Sequence, residues 1–120
     1  MEEPTVSTRP WGEFVKFCEN EKTTVKIIKV KAGHSLSYKK HTNRDEMWIA
    51  LDQGLIALVG DETIFMRDVA VGEYPIWIPR GTLHSVKNVN EGFDVRFMEI
   101  SFGDFDESDM ERIRDNYGRI

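Results

Sequence analysis

The chain has 120 residues, 40% of them hydrophobic and 31% charged, with a formal net charge of −5. That length predicts one domain with a real core. No apolar run approaches the ~20 residues that span a bilayer, and the acidic balance argues against general nucleic-acid binding, which needs a clustered basic surface. The acidic N-terminus, MEEPTVSTRPWGE, lacks the apolar stretch of a secretory leader. The single cysteine, Cys18, suits a reducing compartment and is expected as a small buried side chain. A cytoplasmic location is therefore expected, with neither a membrane nor a nucleic acid as partner.

In chain order, residues 1–8 read as a loose arm, and Arg9-Pro10-Trp11-Gly12 punctuates entry into a strand from Glu13 to Glu19. Thr24 to Lys31 is rich in β-branched residues and roughly alternating, as in a half-buried strand. Further strands are predicted over Asp45–Leu51, Leu55–Val59, Thr63–Val69, Tyr74–Ile78, His84–Val89 and Phe93–Phe102, separated by glycine- and asparagine-containing turns. Many short strands with frequent turns indicate an all-β antiparallel sandwich or small barrel. The last segment reads as one α-helix over about 107–117. Ser108 and Glu111 have the spacing of a capping box, Met110, Ile113 and Tyr117 fall on one helical face, and Gly118 suits a C-cap.

Two stretches hold the chemistry, Gly33 to Trp48 and Pro79 to Asn88. The first offers His41 and Glu46, the second His84, and imidazole with carboxylate is the ligand set that borderline divalent metals take. Three protein ligands with open positions describe a catalytic rather than a structural metal site. The same residues also fit a barrel in which each histidine is simply hydrogen-bonded. Lys39, Lys40, Arg44, Arg80 and Lys87 lie in or beside these stretches, either as solvated cations or as local attraction for an anionic ligand on an acidic protein.

Gly33-x5-Lys39-x-His41-x4-Glu46-x7-Gly54, followed by Gly72-x6-Pro79-x-Gly81-x2-His84-x3-Asn88, resembles the two-part signature of the cupin superfamily. Arg9-Pro10-Trp11-Gly12, Leu36-Ser37, Arg44, Trp48, Ile78 and the terminal run from Asp109 to Arg119 narrow the resemblance to the type II mannose-6-phosphate isomerases. In that family this unit is usually the C-terminal domain of a bifunctional isomerase and mannose-1-phosphate guanylyltransferase. The resemblance implies a single-domain double-stranded β-helix, the jelly-roll barrel of cupins. It also implies a divalent transition metal (Zn, Mn, Fe, Co or Ni) on His41, Glu46 and His84, and interconversion of mannose 6-phosphate and fructose 6-phosphate. Arg44, Arg119 and Lys39 are then expected at the phosphate or the developing oxyanion, with Tyr117 beside the substrate. A homodimer formed through residues 5–12 is a further expectation.

Three departures stand against the family pattern. Lys39 replaces a glutamine that ligates metal, Met47 replaces a histidine, and an extra residue precedes both Gly54 and Pro79. Lys39 can point to solvent, reach the pocket to neutralise phosphate or oxyanion, or substitute for the metal's charge and leave a cupin without metal. Two other functions remain open: a non-catalytic module binding a sugar phosphate or nucleotide sugar, and another metal-dependent cupin enzyme such as a dioxygenase.

Overall fold

The computed structural model describes residues 5–66 and 75–114. Its strands are β1 (Thr5–Arg9), β2 (Gly12–Lys16), β3 (Thr23–Val30), β4 (Tyr38–Lys40), β5 (Arg44–Ala50), β6 (Leu55–Val59), β7 (Glu62–Phe65), β8 (Ile76–Ile78), β9 (His84–Asn88), β10 (Val95–Gly103) and β11 (Glu111–Arg114). No helix occurs among the described residues. Strands β1 and β2 form a separate hairpin that exposes Val6, Trp11 and Val15. The others form a four-stranded sheet, ordered β3-β10-β5-β8, and a five-stranded sheet, ordered β11-β4-β9-β6-β7. Every pairing is antiparallel.

Period-two alternation decides what fills the space between the sheets. Along β10, Val95, Phe97, Glu99 and Ser101 are buried while Arg96 is exposed. Along β3, Ile28 and Val30 face inward and Val25 and Ile27 outward. The core draws Trp48, Ala50, Ile76, Ile78, Val95 and Phe97 from one sheet and Leu55, Ala57 and Val86 from the other. Burying a side chain of this size contributes about 1.5–3 kcal/mol, so this layer holds the two sheets together.

Two predicted elements change, and one strand is new. The helix expected over about 107–117 does not form in its described part: residues 111–114 are a strand paired with β4, and Tyr117, Gly118 and Arg119 lie outside the described residues. The edge of β4 offers Glu111–Arg114 a row of backbone partners, and this long-range pairing overrides the helical spacing of Met110 and Ile113. Ser108 does not cap a helix; its N–H and Oγ both donate to Asp106 Oδ1 in a tight turn. The loose arm is partly ordered, because Thr5–Arg9 pairs along its length with β2. Strand β4 is the element that the sequence did not signal.

Candidate metal centre

Strand β5 follows directly on the His41 turn, and that turn is fastened from two sides. The Asp109 carboxylate accepts hydrogen bonds from the backbone N–H of Thr42 (2.9 Å) and Asn43 (2.8 Å). Gly81, with φ of +80°, donates its N–H to the His41 carbonyl at 2.7 Å, tying the two histidine-bearing stretches together. The Asp45 carboxylate clasps Arg80 through its backbone N–H at 2.8 Å and Nη2 at 3.1 Å. Register completes the placement: Glu46 lies opposite Ser101 and Ile78, on the inward face, and His84 opens β9.

His41, Glu46 and His84 are 3%, 1% and 1% exposed, and one ligand atom from each lies within 4.8 Å of the others. His41 Nδ1 donates to the Asp109 carbonyl (2.7 Å) and His84 Nδ1 to the Thr82 carbonyl (2.8 Å). A carbonyl can only accept, so both rings carry their proton on Nδ1. Both Nε2 atoms therefore turn toward Glu46 Oε1, at 3.4 Å for His41 and 3.2 Å for His84. Fixing the outer ring nitrogen in this way is how proteins aim an imidazole at a metal.

The centre brings three acceptors together with nothing donated between them. Glu46 Oε1 and His84 Nε2 are buried and have no hydrogen-bond partner. The other carboxylate oxygen, Oε2, accepts from Ser101 Oγ at 3.3 Å and has Arg44 Nε at 3.6 Å. Burial pushes the Glu46 carboxyl upward, but the facing His41 and His84 nitrogens and Glu99 outweigh it, and its pKa falls well below the ordinary carboxylate range. Arg44 Nη2 donates to His41 Nε2 at 3.2 Å. A divalent cation bound here would take Glu46 Oε1 and His84 Nε2 directly, and His41 Nε2 once Arg44 Nη2 moves aside.

A family model described as Mannose-6-phosphate isomerase C-terminal matches residues 2–115. The chain belongs to this family. Mannose-1-phosphate guanylyltransferase 2 from Escherichia coli is 34% identical over 110 residues, covering 91% of this chain and 22% of that protein. The chain thus spans about a fifth of the length of that relative. Among solved structures, the capsular polysaccharide assembling protein CapF from Staphylococcus aureus aligns with a TM-score of 0.66 and 16% identity, over 93% of this chain and 34% of that one. The cupin domain of Cnp3 from Schizosaccharomyces pombe aligns with a TM-score of 0.58 and 16% identity, over 87% of this chain and 67% of that one. The fold is that of the cupins.

Within this mannose-6-phosphate isomerase C-terminal domain, the expected site residues separate. His41, Glu46 and His84 converge. Arg44, expected at the phosphate, is 3% exposed and held inside: Nη1 donates to the Asp106 carbonyl at 3.1 Å, and Cζ stacks 4.4 Å from the Phe105 ring centre. Lys39 is half-buried, lies directly opposite His84, and shares the inward face with it. Its charge is felt by the Glu99 carboxyl across the barrel. Tyr117 and Arg119 lie outside the described residues. Met47, the second departure from the family pattern, is on the outward parity of β5 opposite Ile100 and Trp77, so that change does not touch the ligand group.

Glu99 is the site residue that the sequence reading missed. It is 7% exposed and lies on the inward face between Lys26 and Trp48. Burial first, and then the Glu46 charge and hydrogen bond beside it, push its pKa up to about 7. The available signal was parity: an acid in phase with Val95 and Phe97 on an otherwise apolar strand face.

Proposed function

We propose that this domain is a metal-dependent sugar-phosphate isomerase acting on the mannose 6-phosphate and fructose 6-phosphate pair, with His41, Glu46 and His84 holding the metal. The observation that supports this most strongly is the convergence of two Nδ1-locked imidazoles on a buried carboxylate oxygen with no donor between them. Family membership supports this choice of substrate class. A divalent cation held there would act as a Lewis acid on the carbonyl and hydroxyl oxygens that exchange roles in an aldose–ketose conversion.

The chain's own residues account for the remaining tasks. Asp109 and Thr82 orient the two rings through their backbone carbonyls, and Ser101 and Arg44 orient the Glu46 carboxylate. Arg44 thereby acts as a positioning residue rather than as an exposed phosphate clamp. Glu99 supplies a carboxyl that can hold a proton inside the barrel, next to Glu46 and outside the ligand trio. The conversion moves one carbon-bound proton from C2 to C1 and one hydroxyl proton from O2 to O1, so no oxidant or reductant is consumed. Lys39 and the terminal Arg119 belong to this proposal as cations for the phosphate or oxyanion, with Tyr117 beside the substrate.

The test is direct. Purified protein loaded with Zn, Mn, Co or Ni is expected to interconvert mannose 6-phosphate and fructose 6-phosphate, and chelation is expected to abolish the conversion. Absence of conversion above background with every metal, while the protein still binds mannose 6-phosphate, would overturn isomerisation in favour of a binding module.

A further inference from the structure

The ladder between β4 and β11 has different charge patterns on its two faces. On the outward face Lys40 lies opposite Glu111, and the two form an ion pair at 3.5 Å. On the inward face Lys39 lies opposite Arg112, one cation directly across from another. The Arg112 Nε is buried and has no hydrogen-bond partner. Arg112 thus brings a positive charge and an unsatisfied donor to the inward face beside Lys39.

The inward row continues into the metal centre. Lys39 is opposite Arg112 on one side and opposite His84 on the other, so Arg112, Lys39 and His84 stand side by side on three neighbouring strands. Two strand spacings separate Arg112 from His84, about 10 Å of backbone. An open-chain six-carbon phosphate can bridge that span, with its phosphate at one end and its carbonyl at the other.

We propose that Arg112, with Lys39 beside it, forms the anchor for the phosphomonoester dianion of the substrate. The identity of the sugar rests on the function proposed above; the anion site itself does not. The guanidinium presents a planar fork to two phosphate oxygens, and the ammonium adds a point charge. A dianion between them accepts from the unsatisfied Arg112 Nε and meets a cation from each strand. Lys39, where the family has a metal-ligating glutamine, then serves the anion instead of the cation.

Calorimetric titration of the metal-loaded protein with mannose 6-phosphate, inorganic phosphate and mannose tests this. Arg112→Gln is expected to weaken mannose 6-phosphate and inorganic phosphate binding by about tenfold to a hundredfold, the scale of a lost charged hydrogen bond. Mannose binding and metal content are expected to stay unchanged, and Arg112→Lys should recover part of the loss. Lys40→Gln removes the same charge from the outward face and is expected to leave phosphate binding within about twofold, because exposed charges are screened. Equal phosphate binding by the wild type and Arg112→Gln, or equal losses in Arg112→Gln and Lys40→Gln, would overturn the proposal. Phosphate binding lost in Arg112→Gln, from a wild type that does not isomerise mannose 6-phosphate, would support the anchor while removing the isomerase reading. Isomerisation with an unchanged KM in Arg112→Gln would do the reverse.

Discussion

Along β10 the inward side chains run Val95, Phe97, Glu99 and Ser101, and the chemistry turns over between the second and the third. The same change occurs across the barrel, from Trp48 to Glu46 on β5 and from Val86 to His84 on β9. One pleat, about 7 Å, separates an apolar half from a polar one. Two buried polar side chains show a contrast between the halves. Asn88, fully buried in the apolar half, donates to the Val30 and Phe93 carbonyls and accepts from Asn90. Glu46 Oε1 and His84 Nε2, equally buried in the polar half, have no partner. An unpaired buried polar atom costs about 1–3 kcal/mol, and these two face each other at 3.2 Å, where one cation would take both. The apolar half carries the stability, and the polar half carries the chemistry.

That division can be broken from either side. The largest stability loss is expected from the apolar half: Phe97→Ala removes a ring that is 0% exposed and packed edge-on against Trp48 at 5.4 Å between centres. Urea unfolding should show a loss of about 3–5 kcal/mol, with metal content per folded chain unchanged. If Phe97→Ala also lost its metal while still folded, the halves would not be separable.

A smaller effect is expected where the polar half is fastened. Asp109→Ala removes the acceptor for the Thr42 and Asn43 amides. It should cost about 1–2 kcal/mol in urea unfolding and weaken metal affinity about tenfold, because the loop that aims His41 is loosened. Unchanged affinity in a titration with a metal-binding dye would show that the turn holds itself.

How much of this was legible in the sequence follows the same boundary. Strands with strong alternation, such as Thr23–Val30, could be read because each β-branched side chain reports one face. Tyr38–Lys40 could not, since three polar or amphipathic residues carry no period, and the strand exists only because β9 and β11 pair with it. The terminal helix was misread for the same reason: its local spacing was helical, but the partner that decided its conformation is more than 70 residues away in sequence. At the site, ligand types and motif spacing revealed His41, Glu46 and His84. The lock on their ring protons stayed hidden because its acceptors are backbone carbonyls, one of them 68 residues from its histidine. The like-charged pair of Lys39 and Arg112 was hidden too, because it requires the strand that replaced the helix.

The smallest effect is expected at the closed end of the apolar half. The Arg96 guanidinium and backbone N–H hold the exposed Asp52 carboxyl below its ordinary value of 3.8. A folded-state pKa below the unfolded one gives stability that is present above the unfolded value and lost as pH falls through the folded value. Asp52→Asn should therefore be slightly less stable than the wild type at pH 7, and thermal melts should converge as pH drops below about 4. A gap that widens in acid would contradict the assignment.

The central claim is that the polar half is built around a cation. Metal analysis of chains reconstituted with a divalent transition metal and then dialysed, wild type beside Glu46→Gln, tests it most directly. The account predicts about one ion per chain in the wild type, with a raised thermal midpoint, and a loss of more than about a hundredfold in affinity for the variant. A wild type that retains no metal and melts identically with and without it would contradict the account.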